Sequence, residues 1–113
     1  MTREPSVFIE HILESIDFIE KYAEEKTEVD FSRDTQLQDA VLHRLTIIGE
    51  AVKNVPDAVK KKNSDIPWRK IAGIKDVLVH HYFGIDLGAI WMVVQKDIPE
   101  LKAKLHVMKD AGV

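Results

Sequence analysis

Hydrophobic positions along the chain recur at intervals of three and four residues, which is the spacing of one face of an α-helix. The first series runs from Ser6 to about Glu25, and Pro5 at its start suits the first turn of a helix. The pattern predicts a first amphipathic helix. Its apolar members are Ile9, Ile12, Leu13, Ile16, Ile19 and Ala23.

A polar stretch from Lys26 to Arg33 interrupts the pattern before a second apolar series begins. Thr35 and Gln38 stand three residues apart at its start, which is the spacing of a capping box. Pro56 ends the series, because its ring cannot continue a helix interior. The sequence therefore predicts a second long helix whose apolar face is formed by Leu37, Val41, Leu45, Ile48, Val52 and Val55.

The run K-K-K-N-S-D that follows is interpreted as a solvated polar connection with room for one short helical turn. Pro67 suits the first turn of the next helix, W-R-K-I, with Ser64 or Asp65 as its cap. Gly73 is expected to break or bend that helix, and helical spacing resumes from Lys75 to Phe83.

Gly84 should end that stretch, and Asp86 should cap the last helix. Pro99 interrupts the last helix and predicts a kink or a second segment, because proline lacks the N–H that would bond to residue 95. No alternating β pattern of useful length appears, so the favoured architecture is an all-α, up-and-down helical bundle. The apolar stripe of the last helix is Leu87, Ile90, Trp91, Val94, Ile98, Leu101, Leu105 and Met108.

The composition predicts one folded domain over residues 1–113. Hydrophobic residues make up 45% of the chain and charged residues 31%, as in an ordinary globular protein. The net charge of −3 gives no general basic surplus for nucleic-acid binding, and the absence of cysteine excludes disulfides and thiolate zinc sites. No signal peptide or membrane-spanning run is recognisable, so the expected location is the cytoplasm.

Candidate chemistry is concentrated in the run K-D-V-L-V-H-H-Y-F-G-I-D, from Lys75 to Asp86. On a helix, Asp76 and His80 lie one turn apart, so the carboxylate could orient the imidazole as a general base. Spacing alone favours a helix-surface ion pair over such a dyad. His80 and His81 point about 100° apart on a helix and cannot chelate one metal, so no metal site is expected there. No cofactor is predicted.

The remaining aromatic and charged residues are interpreted as structural. Taken alone, Tyr82 is more typical of a core aromatic whose hydroxyl reaches the rim. Trp68 and Trp91 are expected to anchor the core, while Arg44 and Glu50 have no obvious partner and are expected on a polar rim.

Three blocks follow one another in order along the chain: Q-D-A-V-L-H-R-L-T-I-I-G-E-A, I-P-W-R-K-I-A-G-I-K-D-V-L-V-H-H-Y-F-G-I-D and W-M-V-V-Q-K-D-I-P-E-L-K. Through these blocks the chain resembles the HepT-like proteins of the HEPN superfamily. The resemblance implies an all-α homodimer in which two copies of a motif face a shared cleft. It also implies a metal-independent ribonuclease toxin paired with a MntA-type nucleotidyltransferase antitoxin.

The family motif, Arg-x-x-x-x-His-x-Tyr, places His80 at the histidine, Tyr82 at the tyrosine and Lys75 at the arginine. By resemblance, His80 transfers protons while the cation supports the phosphate during attack by the ribose 2′-hydroxyl. Asp76 is the expected orienting residue. Tyr82 carries the role of the tyrosine to which the antitoxin transfers AMP.

Lys75 departs from the family pattern. Arginine offers a planar fork to two phosphate oxygens, whereas lysine offers a point charge on a flexible stem. Two alternatives to a nuclease therefore stay open. One is a catalytically degenerate helical module that binds a nucleotidyltransferase or a nucleotide, and the other is a helical dimer without chemistry at this cluster.

Overall fold

A computed structural model describes residues 4–74 and 86–112 of the chain. Every regular element in these two ranges is a helix, and neither range contains a strand. The predicted all-α class is therefore confirmed. None of the helices described is both long enough and apolar enough to cross a bilayer.

The first predicted helix is confirmed as α1, Pro5–Ala23, with proline in its first turn. It ends two residues before the predicted boundary, at a turn in which Glu25 has a φ of 61°. This left-handed backbone is uncommon for a residue with a side chain, and it redirects the chain towards the next element.

The polar stretch contains a short helix that the sequence pattern did not predict, α2, Glu28–Arg33. Its signal is a capping box rather than a periodic apolar face. The Thr27 N–H donates to Asp30 Oδ2 at 2.9 Å, and the Asp30 N–H donates to Thr27 Oγ1 at 3.1 Å. Phe31 is its single buried residue, so helical periodicity could not reveal it.

The second predicted helix is confirmed as α3, Thr35–Lys53, but its predicted capping box is wrong. Thr35 is already helical, and the cap is Asp34, whose Oδ1 accepts from the Leu37 N–H at 3.0 Å. The Gln38 side chain instead donates to the Phe31 carbonyl at 2.8 Å and ties α3 to α2.

Two short helices follow: α4, Asp57–Lys62, and α5, Trp68–Ala72. The predicted turn after Pro56 is therefore present. The predicted cap for α5 is wrong, since Pro67 occupies the N-cap position and no side chain hydrogen-bonds there. Gly73 follows as the C-cap, which confirms that α5 ends where the sequence predicted.

The last helical region consists of α6, Leu87–Met92, a π-helical turn, Val93–Asp97, and α7, Ile98–Asp110. The Ile98 N–H bonds to the Val93 carbonyl, five residues back instead of four. Pro99 lies in the first turn of α7, where its missing N–H is tolerated. The predicted second segment at Pro99 is confirmed, and the π turn accommodates the change of register.

The core lies between α1, α3 and the last helical region, while α5 packs on α3. Full burial of each large aliphatic side chain contributes roughly 1.5–3 kcal/mol relative to exposure, so these contacts dominate the stability of the fold. The up-and-down order of the helices and a dimer stay predictions. Completely buried members of the core include Ile12, Ile16, Ile19, Phe31, Val41, Leu45, Ile48, Val52 and Leu105.

Candidate functional site

The predicted site residues Lys75, Asp76, His80 and Tyr82 lie outside the described residues. Three further predictions also fall outside the described residues: the helix from Lys75 to Phe83, its end at Gly84, and the angle of about 100° between His80 and His81. What the structure describes is the framework that leads into this segment and out of it.

The entry to the segment is α5, which is anchored by its first residue. Trp68 is buried, and its indole Nε1 donates to the Asn63 carbonyl at 3.0 Å. Ile71, one turn later, is also buried and faces the core with α3. These contacts hold α5 against α3, so the position of the chain is fixed just before the motif segment begins.

Residues 65–70, at the start of α5, also contact the last helical region. Lys104 Nζ donates to the Asp65 carbonyl at 2.8 Å, and Lys70 Nζ lies 3.8 Å from Asp97 Oδ1. Asp97 ends the π turn, so that turn places an acid beside α5. Lys70 is exposed and Asp97 is half-buried, so solvent screens the pair and it contributes at most about 1 kcal/mol.

A groove of about 90 Å³ runs between α5 and the π turn. It can accommodate several water molecules. Its rim carries both lysines and carboxylates, so it has no single sign of charge. Its apolar floor is formed by Pro67, Ile71, Ile74, Val93 and Leu101.

The exit from the segment is the start of α6. Asp86 Oδ1 accepts from the Ala89 N–H at 3.0 Å, which confirms the predicted cap. A Cβ at Gly88 would lie 3.1 Å from Glu28 Oε1, so the glycine permits a close approach of α2. Phe31 and Trp91 fix this contact further, with ring centroids 5.3 Å apart.

Two described groups have clearly shifted pKa values, and neither is on α5. The backbone N–H of Thr27, followed by the Thr27 side chain, lowers the pKa of Asp30. The hydrogen bond to Glu20 at 2.6 Å, with a smaller contribution from Asp17, raises the pKa of Lys102. Both shifts belong to structural contacts, one at a helix cap and one between α1 and α7.

The structural roles predicted for the other residues are largely confirmed. Trp68 and Trp91 are 8% and 9% exposed, as expected of core anchors. Arg44, however, has a partner that spacing did not reveal, because its guanidinium lies over the ring of Phe18. Glu50 lies 3.8 Å from Lys53 in an exposed pair. Among residues 4–74 and 86–112, no three His, Asp or Glu side chains are grouped so that they could hold a metal ion.

The family model described as Ribonuclease HepT-like matches residues 12–108. This range spans both ends of the framework and the whole predicted motif.

Curated relatives carry ribonuclease names. A Thermococcus cleftensis protein named "Probable ribonuclease HepT" is 41% identical over 109 residues, which are 96% of this chain and 99% of that protein. A Caldanaerobacter subterraneus protein named "Putative RNase" is 41% identical over 101 residues, covering 89% of this chain and 90% of that protein.

One relative is longer. A Methanocaldococcus jannaschii protein named "Gamma-glutamylcyclotransferase and putative RNase" is 49% identical over 111 residues, which are 97% of this chain but 50% of that protein. This chain therefore spans half the length of that relative. No solved structure matches the chain.

Proposed function

Because this chain belongs to the HepT-like ribonuclease family, we propose that it is a metal-independent endoribonuclease, and the toxin of a toxin–antitoxin pair in the cytoplasm. The observation that carries the proposal is the family match over residues 12–108, which includes the motif from Lys75 to Tyr82. In this proposal residues 1–113 form a single domain, arranged as an up-and-down bundle. Two copies form a homodimer in which the motifs face one cleft.

The proposed reaction is an internal transesterification of RNA. His80 accepts the proton of a ribose 2′-hydroxyl as its oxygen forms a bond to the adjacent phosphorus. The bond from phosphorus to the 5′-oxygen breaks, and that oxygen takes up a proton. The products are a 2′,3′-cyclic phosphate and a 5′-hydroxyl.

Two neighbouring side chains support this step in the proposal. Lys75 faces the phosphate and stabilises the negative charge that develops on its oxygens. Asp76 orients the His80 imidazole and acts through it, so it is a positioning residue. The anchored start of α5 supports this arrangement, because Trp68 fixes the helix that precedes Lys75 by three residues.

The proposed control of this activity is transfer of AMP to Tyr82 by a MntA-type nucleotidyltransferase. The Tyr82 hydroxyl gives up its proton as its oxygen forms a bond to the α-phosphorus of ATP. The bond from that phosphorus to the β-phosphate oxygen breaks, and pyrophosphate leaves. The AMP that remains on the tyrosine is a bulky anion two residues along the chain from His80. Such a group would repel the RNA phosphate and block access to the histidine. Intact mass and peptide mapping after co-expression with the nucleotidyltransferase test this step directly.

The function is tested with purified chain and labelled RNA in the presence of a chelator. The proposal predicts cleavage under these conditions, with cyclic phosphate ends on the products. RNA that stays intact at high protein concentration would contradict it.

A second candidate is a catalytically degenerate module that binds a nucleotidyltransferase partner or a nucleotide. Lys75 favours this alternative, because lysine cannot reproduce a two-pronged contact with phosphate. The rate of RNA cleavage by a Lys75→Arg variant distinguishes the ribonuclease from the binding module.

A further inference from the structure

The charge of the chain is unevenly distributed. Residues 57–74 contain five cationic and two acidic side chains, although the whole chain has a net charge of −3. Residues 20–34 contain six acidic and three cationic side chains. The stretch that precedes the motif is thus locally basic in an acidic protein.

The cations of this stretch come from two helices held together at one point. Lys61 and Lys62 lie in the last turn of α4, and Arg69 is the second residue of the five-residue helix α5. The indole Nε1 of Trp68, the residue before Arg69, donates a hydrogen bond of 3.0 Å to the carbonyl of Asn63, the residue after Lys62. The buried indole therefore fixes the two basic turns relative to each other.

These three side chains are exposed and have no acidic partner within the described ranges. Two lysines of α7 are neutralised, in contrast: Lys102 binds Glu20, and Lys109 pairs with Glu10. Lysines in the last turn of α4 also interact favourably with the helix dipole, which accounts for their position on the helix. Arg69 also lies in the last turn of its helix, because α5 has only five residues. The dipole does not account for the lack of an acidic partner at these three cations.

We infer that Lys61, Lys62 and Arg69, which precede the motif in the chain, form a surface that binds the sugar–phosphate backbone of RNA. This surface is here called the α4–α5 basic surface. Lysine and arginine on a fixed framework bind successive phosphates and release counterions, with little dependence on sequence. The inference rests on the proposed function, because it needs RNA as the ligand. The α4–α5 basic surface then contributes affinity for RNA, while the motif residues carry out its cleavage.

The test compares two matched triple variants. Lys61→Gln, Lys62→Gln and Arg69→Gln remove the α4–α5 basic surface. Lys21→Gln, Lys26→Gln and Arg33→Gln remove the same residue types from exposed positions in the acidic region. Glutamine keeps helix propensity close to that of lysine and arginine, and thermal melting followed by circular dichroism checks the fold of each variant.

Binding is measured by fluorescence anisotropy with a labelled single-stranded RNA whose 2′-oxygens are methylated, so that it cannot be cleaved. The slope of log affinity against log salt should become shallower by about 2 in the first triple variant, since each phosphate contact contributes about 0.7. Between about 50 and about 200 mM salt, the wild type then loses roughly fifteenfold more affinity than this variant. The control triple variant should keep the wild-type slope.

Equal slopes for the two triple variants would overturn the inference, and RNA cleavage by the wild type would show that the proposed function stands without it. A wild type that binds no RNA would overturn both. If the first triple variant does not fold, Arg69→Gln alone should lower the slope by about 0.7, and an unchanged slope would overturn the inference.

Discussion

The guanidinium carbon of Arg44 lies 4.0 Å from the centroid of the Phe18 ring, so the cation covers an aromatic face between α3 and α1. Tyr22 extends the aromatic contact, with its ring centroid 6.0 Å from that of Phe18. Arg44 Nε is buried and has no hydrogen-bond partner among residues 4–74 and 86–112, so the guanidinium is held there by stacking on the Phe18 ring. A cation over an aromatic face contributes about 0.5–2 kcal/mol, depending on its exposure.

A double-mutant cycle should measure this contact. Arg44→Gln and Phe18→Leu should each lower the free energy of unfolding, and the double variant should lose less than the sum by at least about 0.5 kcal/mol. Urea unfolding of the four proteins gives the value. Arg69→Gln combined with Phe18→Leu serves as the control and should be additive, whereas additivity in the Arg44 cycle would contradict the contact.

The capping box of α2 should lower the pKa of Asp30, the acidic residue of the box. The Thr27 N–H and side chain lower the pKa of Asp30 below 3.8, so ionised Asp30 stabilises the folded state above its unfolded pKa. That contribution is lost as pH falls through the lowered folded pKa. An NMR titration of the Asp30 carboxyl carbon should therefore give a midpoint below 3.8.

A Thr27→Ala variant isolates the side-chain part of this effect. The backbone N–H of residue 27 remains, so the Asp30 midpoint should move upwards but stay lowered in part. A wild-type midpoint at or above 3.8 would show that the box is not formed in solution.

Much of the fold could be predicted from periodicity, since α1, α3 and the last apolar stripe appear where spacing predicted them. The features that periodicity did not predict have local causes. α2 buries only Phe31 and is fixed by a capping box, and α3 is capped by Asp34, one residue before the predicted box. The π turn before Pro99 follows from backbone register, which side-chain patterns do not encode.

Contacts between distant residues were less accessible to sequence reasoning than the helices. Arg44 is 26 positions from Phe18, and no motif links the two. For the site, the family resemblance supplied the residues and roles, while the structure adds the anchored entry at Trp68 and the capped exit at Asp86. The geometry within Lys75 to Tyr82 stays a prediction.

The substitution Lys75→Arg should raise RNA cleavage if the site is a functional nuclease. A second charged hydrogen bond contributes ~1.5–3 kcal/mol, so the single-turnover rate should rise on the order of ten- to a hundredfold. Lys75→Gln should lower it, because no cation remains. An unchanged rate in Lys75→Arg would favour the binding module.

The most direct test of the central claim is the single-turnover cleavage of RNA by the wild type and by His80→Ala, with chelator present. We expect the wild type to cleave the RNA and the variant to react at least about a hundredfold more slowly, because general acid–base catalysis contributes on the order of 10²–10⁴-fold. Matching melting curves and matching affinities for methylated RNA confirm that fold and binding are retained. Cleavage at the wild-type rate in His80→Ala would contradict the assignment of this histidine and the mechanism built on it.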